Sequence, residues 1–347
     1  MKNAFPRYPL LSGDTPLMPL ANLGAELGVA SLWIKRDDVT ELAFGGNKLR
    51  KLEYLLGQAL DDGCDLVITG GSPQSNHARL TVAAANKAGL ETWLCFAGER
   101  LGDVQGNLLL DQLLGAKLFA TGAYGSDGLL AVMREKAFAA ERLGRKPFII
   151  PVGGSTGRGD YGYVTAWYEL ERQRQQQELP PFDEIYVAVG TGGTLAGLAV
   201  GRNLTQTPTR FRGISVWQER EQTEQEVNRF MRQLCKEINQ PAASGLAPTD
   251  ALFDQYIGRK YGSPSPAGNE AIRKLAARKG FWSIRYTLER RWRECSINWR
   301  KPPTNQNGYY FGIQVARLPC LRMHHPWRAC DVTIEKGEAN EYRFNCA

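Results

Sequence analysis

No apolar run in the 347 residues approaches the roughly 18 that a membrane-spanning helix needs, and Pro6 and Pro9 break the first residues before a signal-peptide core can form. The expected address is the cytosol, with no membrane partner. Regular cysteine spacing is also missing. Seven cysteines scattered through a chain of this length argue for reduced thiols rather than a secreted disulfide framework. Internal repeats and low-complexity tracts are absent, and 43% hydrophobic with 23% charged residues excludes collagen, coiled coil and wholesale disorder. What remains is a soluble globule, long for one domain and comfortable for two.

The net charge of +7 would suggest nucleic acid if it were spread over one surface, but its distribution says otherwise. Residues 281–347 hold eleven Lys+Arg against six Asp+Glu, together with four of the seven cysteines, four of the eight tryptophans and two of the three histidines. Composition changes near Gly280.

From residue 30 to 280, short β-branched runs alternate with longer helical stretches, the pattern of a mostly parallel α/β sheet covered on both faces. Strands are expected at 66–70, 91–98, 116–122, 146–154, 184–189 and 212–217, with helices at 79–89, around 107–115, at 163–177 and after Gly193.

Three glycine-rich turns follow strands, where open parallel sheets place ligands. In VAVGTGGTLAG, apolar strand residues deliver Gly190, Thr191, Gly192 and Gly193 to a helix beginning near Thr194, so unpaired N–H groups and the positive helix end converge. A phosphate suits that point. Neither GxxxxGK[ST] nor the dinucleotide glycine spacing is present, and a tight connection without ligand is the plain alternative. In FGGNKLRKLEYLL, Lys48, Arg50 and Lys51 crowd the first turn of a helix whose Leu49, Leu52, Leu55 and Leu56 form the buried stripe. Cations there oppose the helix dipole, which points either to an anion or electrophilic cofactor sharing the spot or to a solvated basic patch. In TGGSPQSNHARLTVAAA, Gln74, Ser75, Asn76 and His77 crowd another helix start, as ligand groups or simply as caps.

GGNKLRKLEYLL, TGGSPQSNHARLTVAAA, PVGGSTGRGDYGYVTAWYEL, VAVGTGGTLAGL and YGSPSPAGNEAI, in this order over residues 10–280, resemble the pyridoxal-phosphate enzymes of the D-cysteine desulfhydrase and aminocyclopropane-carboxylate deaminase family. The resemblance implies the tryptophan-synthase-β fold (fold type II), with two three-layer α/β domains whose open sheets are mostly parallel. A large pyridoxal-phosphate-binding domain would comprise 1–47 plus 158–280. A small inserted domain would take 48–157, and the chain would form a homodimer. Carried across residue by residue, Lys48 resembles the lysine that forms the Schiff base, and Asn76 the contact to the pyridine hydroxyl. Ser75, with Gln74, Asn76 and His77, resembles the substrate-carboxylate cluster. Lys51 with Gly190, Thr191, Gly192, Gly193 and Thr194 resembles the phosphate site, and Tyr261 one of two active-site tyrosines.

The implied activity is a carbon–sulfur lyase acting by α,β-elimination on a small D-amino acid, with D-cysteine giving pyruvate, hydrogen sulfide and ammonia. L-cysteate sulfo-lyase and 1-aminocyclopropane-1-carboxylate deaminase are the alternatives. The chemistry agrees with the residues: a Schiff base needs a lysine that is neutral for part of its cycle, and Lys48, once released, would take the α-proton. His77 stands where the deaminases carry glutamine, which favours the desulfhydrase side.

At Gly280 the resemblance stops. Read with each codon split after its second base, Trp282 with a TCN-encoded Ser283 gives valine, Ser283 to Cys295 permit DPIYTGKAMAGM, and Gly312 to Met323 permit HTGGTPALFAY. Met323 with His324 forces alanine, and Cys330 with Asp331 permits a stop. Those strings resemble the family's continuation, which implies that one base is missing near the Gly280 codon and that 281–347 is an out-of-frame tail lacking a central strand and the pyridine-nitrogen partner. The product would then be inactive, binding cofactor only or failing to fold. In that light Cys320, His324, His325 and Cys330 match no standard metal-site spacing, the tail's arginines and tryptophans match no nucleic-acid module, and Tyr286 takes no catalytic role. No metal and no nucleic-acid partner are expected.

Overall fold

The computed structural model describes residues 5–257, 266–279, 309–314, 332–336 and 342–346. In chain order its elements are β1 (Leu17–Pro19), α1 (Ala21–Leu27), β2 (Ser31–Arg36), α2 (Lys48–Asp61), β3 (Leu66–Gly71), α3 (Asn76–Lys87), β4 (Glu91–Phe96), α4 (Asn107–Leu113), β5 (Lys117–Ala120) and α5 (Gly125–Glu141). There follow β6 (Pro147–Ile149), α6 (Gly157–Gln176), β7 (Glu184–Val189), α7 (Gly193–Thr205), β8 (Arg210–Ser215), α8 (Arg220–Glu237), β9 (Ala251–Phe253), α9 (Pro266–Lys279), β10 (Tyr309–Gln314), β11 (Val332–Lys336) and β12 (Tyr342–Cys346). The chain divides into two compact units, a larger one of 11–54 with 155–317 and a smaller one of 1–10 with 55–154 and 318–347.

In the smaller unit β5-β4-β3-β6 form an all-parallel sheet. Period-two alternation along its strands builds two cores. Trp93 and Cys95 of β4 and Phe119 of β5 join Leu129, Met133 and Ala137 of α5 in one cluster. Leu94 and Phe96, offset by one residue, join Leu118, Ala78 and Val82 of α3 and Leu108 of α4 in the other. Helices therefore cover both faces, the three-layer arrangement that continuous apolar strands predict. Strands β11 and β12 pair antiparallel as a separate two-stranded sheet.

The larger unit carries a six-stranded sheet, β1-β2-β10-β7-β8-β9, parallel apart from β1. Helices α6 and α7 pack through glycine: a Cβ on Gly197 would lie 2.2 Å from the Asp160 carbonyl oxygen and one on Gly201 2.6 Å from Trp167 Cβ. Two small residues one turn apart thus let the helix backbones approach closely.

Three differences from the sequence reading have physical causes. The division expected at 47/48 lies at 54/55, because the first turns of α2 bond to the larger unit through Arg50, Lys51 and Tyr54. Helix α6 begins six residues earlier than expected, since Thr156 Oγ1 accepts the Gly159 N–H at 3.0 Å and caps a glycine-rich stretch that reads as loop. The central strand expected to be missing is supplied by the tail: β10 lies between β2 and β7, its Tyr309 opposite Ser31 and its Tyr310 opposite Glu184. Tyr-Tyr-Phe-Gly-Ile-Gln is rich in strand-forming residues, and ladder hydrogen bonds are made by backbone whatever the side chains. Among the described residues no helix is long and apolar enough to cross a membrane.

Buried charge organises the larger unit. Arg50 donates to Asp37 Oδ1 and Oδ2 at 2.8 and 2.9 Å and to Glu169 Oε2 and Oε1 at 2.8 and 2.9 Å, and Lys35 also pairs with Glu169. Burial pushes the Glu169 carboxyl up, but its bonds to Arg50 and the charges of Arg50 and Lys35 outweigh this and hold it at about 2, below the ordinary 4.5. A carboxyl depressed in the fold stabilises it above its ordinary value and loses that contribution as pH falls. Acid titration should therefore remove about 3 kcal/mol between pH ~4.5 and ~2 through this group, and Glu169→Gln should cost roughly 3–5 kcal/mol at pH 7 by leaving Arg50 and Lys35 underpaired. Denaturant melts across that pH range check both numbers, and an unchanged midpoint in the variant refutes them.

Candidate active site

Lys48 opens α2 after a strained approach. Ala43 and Phe44 take φ values of 44° and 64°, and Gly45 and Gly46 follow at 74° and 141°. Left-handed backbone at two non-glycine residues costs of order 1–3 kcal/mol each and persists only where the surroundings over-determine it. They do here: a Cβ on Gly45 would meet the Asp38 carbonyl oxygen at 2.2 Å, and Gly46 N–H donates to Thr40 Oγ1 at 2.8 Å.

The lysine so presented is half-buried, and among the described residues its Nζ has no hydrogen-bond partner. Burial lowers its amine first, the charge of Lys51 one turn along lowers it further, and Asp160 only partly opposes them, leaving it at about 7 rather than 10.5. At neutral pH about half the amines are free to attack an electrophile, against roughly three in ten thousand for an ordinary lysine.

Lys51 is fully buried on the same helix face. Its Nζ donates to Asp160 Oδ1 at 2.7 Å and to Ser155 Oγ at 2.9 Å, and Ser155 Oγ lies 2.6 Å from Thr191 Oγ1 in the glycine turn. That turn ends on Gly192, at φ 98°, as the N-cap of α7. Gly193 must stay bare, because a Cβ there would come 2.1 Å from Asp160 Oδ1, whereas a Cβ on Gly190 would meet nothing within 4 Å. Asn47 Nδ2 lies 3.5 Å from Thr194 Oγ1. A cation, three hydroxyls, the amino end of a 13-residue helix and open space beside Gly190 make a cradle suited to a phosphate. An amine poised for an aldehyde and a cradle for a phosphate, both tied to Asp160, fit a phosphorylated aldehyde cofactor.

The smaller unit holds the second group at the start of α3. Ser75 caps the helix, accepting the Ala78 N–H at 3.2 Å, while no described residue accepts its own hydroxyl proton. Asn76 Oδ1 accepts from Asn107 Nδ2 at 3.0 Å and from Arg79 at 3.4 Å, and its Nδ2 donates to no described residue. The other two members of the cluster are engaged elsewhere. Gln74 bonds through both amide atoms to the 105–107 backbone, at 2.9 Å each. His77 is buried with Nε2 2.9 Å from Thr69 Oγ1, and since that hydroxyl gives its one proton to the Ile150 carbonyl at 2.7 Å, Nε2 is the protonated nitrogen.

Lys48, Lys51 and 190–194 are thus brought together through Asp160 and Ser155 in one unit, and Gln74 to His77 stand together in the other. Tyr261 and the Cys320–Cys330 group lie outside the described residues. Among the described residues no group of three or more His, Cys, Asp or Glu could hold a metal ion. Ser155, Asp160 and Asn107 were missed in the sequence. The first two lie in GGSTGRGD, where a capping threonine and an acid in the first helical turn were the available signal.

Residues 9–285 match the family described as pyridoxal-phosphate dependent enzyme. A putative 1-aminocyclopropane-1-carboxylate deaminase of Pyrococcus horikoshii is 40% identical over 276 residues, 80% of this chain and 81% of that protein. A D-cysteine desulfhydrase of Salmonella paratyphi B is 37% identical over 280 residues, 80% and 83% of the two chains. Among solved structures, an ACC deaminase homologue superposes with a TM-score of 0.82 at 35% identity, covering 90% of this chain and 92% of its own. A serine racemase of maize, at 16% identity and a TM-score of 0.60 over 88% of this chain and 90% of its own, shares the fold.

Competitive labelling of the ligand-free protein with an amine-reactive reagent should give Lys48 a midpoint near pH 7. Asp160→Asn, which removes the one charge raising it, should move that midpoint lower still. A midpoint near 10.5 would show that burial and Lys51 do not act on this amine as described.

Proposed function

Because the chain belongs to the family of pyridoxal-phosphate-dependent enzymes, we propose that it is a lyase of small amino acids that expels a β-leaving group, with D-cysteine as its substrate. The observation that carries the reading is the Lys48 amine, at about 7 and without a hydrogen-bond partner among the described residues. When bound, the cofactor supplies an electron sink for charge developing at the substrate α-carbon.

The remaining work falls to this chain's side chains. Lys51, Ser155, Thr191 and the amino end of α7 would hold the phosphate. Lys48 Nζ moves the proton at the α-carbon, which an amine titrating near the working pH does best. Ser75 Oγ–H and the first N–H groups of α3 bind the substrate carboxylate, a charge the helix end favours. Asn76 Nδ2, which donates to no described residue, would donate to the ring oxygen of the cofactor. His77, locked to Thr69, supports the α3 start from behind. Loss of thiolate from the β-carbon and hydrolysis then give pyruvate, hydrogen sulfide and ammonia.

Relatives at similar identity carry the names of two activities, so the substrate is decided by assay. Borohydride treatment of the holoprotein should fix the cofactor on Lys48. D-Cysteine should release oxo acid and sulfide faster than cysteate or aminocyclopropane carboxylate releases oxo acid, and Lys48→Ala should lose roughly 10²–10⁴-fold or more. Label on another amine sinks the site, and preference for the cyclopropane sinks the substrate.

A second reading is favoured by where the family match ends, at residue 285, close to the compositional change at Gly280. In it the chain is altered beyond that point, binds cofactor and turns over nothing. Cofactor bound without turnover of any of the three substrates supports it, and an intact gene read across the Gly280 codon, with the family sequence in no frame, removes it.

A further inference from the structure

The smaller unit contains a polar relay whose direction is set by chemistry alone. The Gln74 carbonyl oxygen can only accept, so the Asn107 amide atom 2.9 Å away must be its NH₂. The second proton of that NH₂ points at Asn76, 3.0 Å away, so the atom it meets must be the Asn76 carbonyl oxygen. Arg79, a donor and never an acceptor, meets the same oxygen at 3.4 Å. Amide oxygen and nitrogen are otherwise easily interchanged, but here a backbone carbonyl at one end and a guanidinium at the other leave a single assignment. The Asn76 NH₂ is left facing away from the relay, with no described acceptor.

The supports are built for this task. Asn107 is fully buried at the first position of α4, its backbone N–H tied to Gln74 Oε1 at 2.9 Å, so that Gln74 grips it twice. Arg79 is fully buried too. Its countercharge is Asp111, one turn along α4 from Asn107 and itself buried. Among the described residues neither carboxylate oxygen of Asp111 has a hydrogen-bond partner. Burial pushes Asp111 up to about 8 against the pull of Arg79. A buried cation and an amide donor aimed at one oxygen are an expensive arrangement for capping a helix that Ser75 already caps.

We infer that Asn107, backed by Arg79, is a positioning residue that makes Asn76 an obligate hydrogen-bond donor toward an anionic ligand oxygen. Resting on the function proposed above, that oxygen is the ring hydroxyl oxygen of the cofactor. Donation to it stabilises its ionised form, so the relay sets both affinity and the pH at which the bound cofactor titrates.

The test exchanges one atom. Asn107→Asp keeps the volume but puts an acceptor at 3.0 Å from Asn76 where the donor stood, leaving only the longer Arg79 contact at 3.4 Å to hold the oxygen inward, so Asn76 turns its NH₂ inward and its oxygen toward the ligand. In the holoprotein, pyridoxal-phosphate affinity should fall roughly 10–100-fold, the scale of supporting-residue losses at ligand sites, and the pH midpoint of the visible cofactor band should rise. Affinity for the 3-deoxy analogue, which lacks the ring hydroxyl, should change less than about twofold. Equal losses for both cofactors, or no change in either readout, overturn the proposal. Should the aspartate variant fail to fold, Asn107→Ser is measured in the same way, with the same selectivity for the hydroxylated cofactor expected. Amide exchange in the ligand-free protein separates this inference from the reading beneath it: the Asn107 NH₂ protons should exchange slowly and those of Asn76 fast. The reverse order sinks the relay whatever the cofactor does, while absence of borohydride label on Lys48 sinks the cofactor reading and leaves the relay's direction to stand on exchange alone.

Discussion

One buried ion pair, Lys51 with Asp160, holds the chemistry of the larger unit in place. It joins the second helix to the sixth across 109 residues of sequence at 2.7 Å, with neither side chain more than 1% exposed. Breaking such a pair by removing one partner typically costs 3–5 kcal/mol, because the survivor is left charged and dry. Its further effects are local and electrostatic. Lys51 lies three residues from Lys48, hence on the same helix face, and lowers its amine; Asp160 resists that lowering and also occupies the space a side chain at Gly193 would need. The same two residues therefore poise an amine and keep a helix end bare.

Next to the pair, Arg50 makes the frame rigid. Successive helical residues point 100° apart, so Arg50 cannot share the Lys48 and Lys51 face and turns instead to Asp37 and Glu169. Tyr163 adds a bond to Asp37 Oδ2 at 3.0 Å. The leucines of the apolar stripe, Leu49, Leu52, Leu55 and Leu56, are all buried as their spacing requires. A single helix thus divides its circumference among apolar anchoring, ionic bracing and reactive chemistry, and the strained turn before it fixes where the reactive face begins.

How much of this was legible depended on whether a residue's partner lies near it in sequence. Lys48 could be read because glycines before it and leucines after it define a turn and a helix, and the glycine loop at 190–193 because a strand precedes it and a helix follows. Asp160 and Ser155 could not be found in that way, since Lys51 is more than 100 residues away and GGSTGRGD reads as loop until Thr156 is seen to cap it. Asn107 was invisible for the same reason: its partners at 74 and 76 are reached only once α3 and α4 have packed on one face of the sheet. Gln74 and His77 illustrate the opposite failure, where a polar cluster looks uniformly available but half of it is engaged in holding the other half.

The units solve the same problem by different physics. A group that must keep a particular protonation or hydrogen-bonding state needs its environment to penalise the other one. For Lys48 the penalty is electrostatic: low exposure and a neighbouring cation disfavour the ammonium form, and Asp160 keeps the penalty from growing so large that proton transfer becomes one-way. For Asn76, which does not titrate, charge alone could not choose between two ends of an amide of nearly identical shape. Only an ordered sequence of donors and acceptors can, and the Gln74 carbonyl starts one whose direction no side-chain rotation reverses without setting two acceptor oxygens against each other. An amine held near neutrality and an amide held as a donor are the two states that a carbonyl electrophile bearing an ionised oxygen would require.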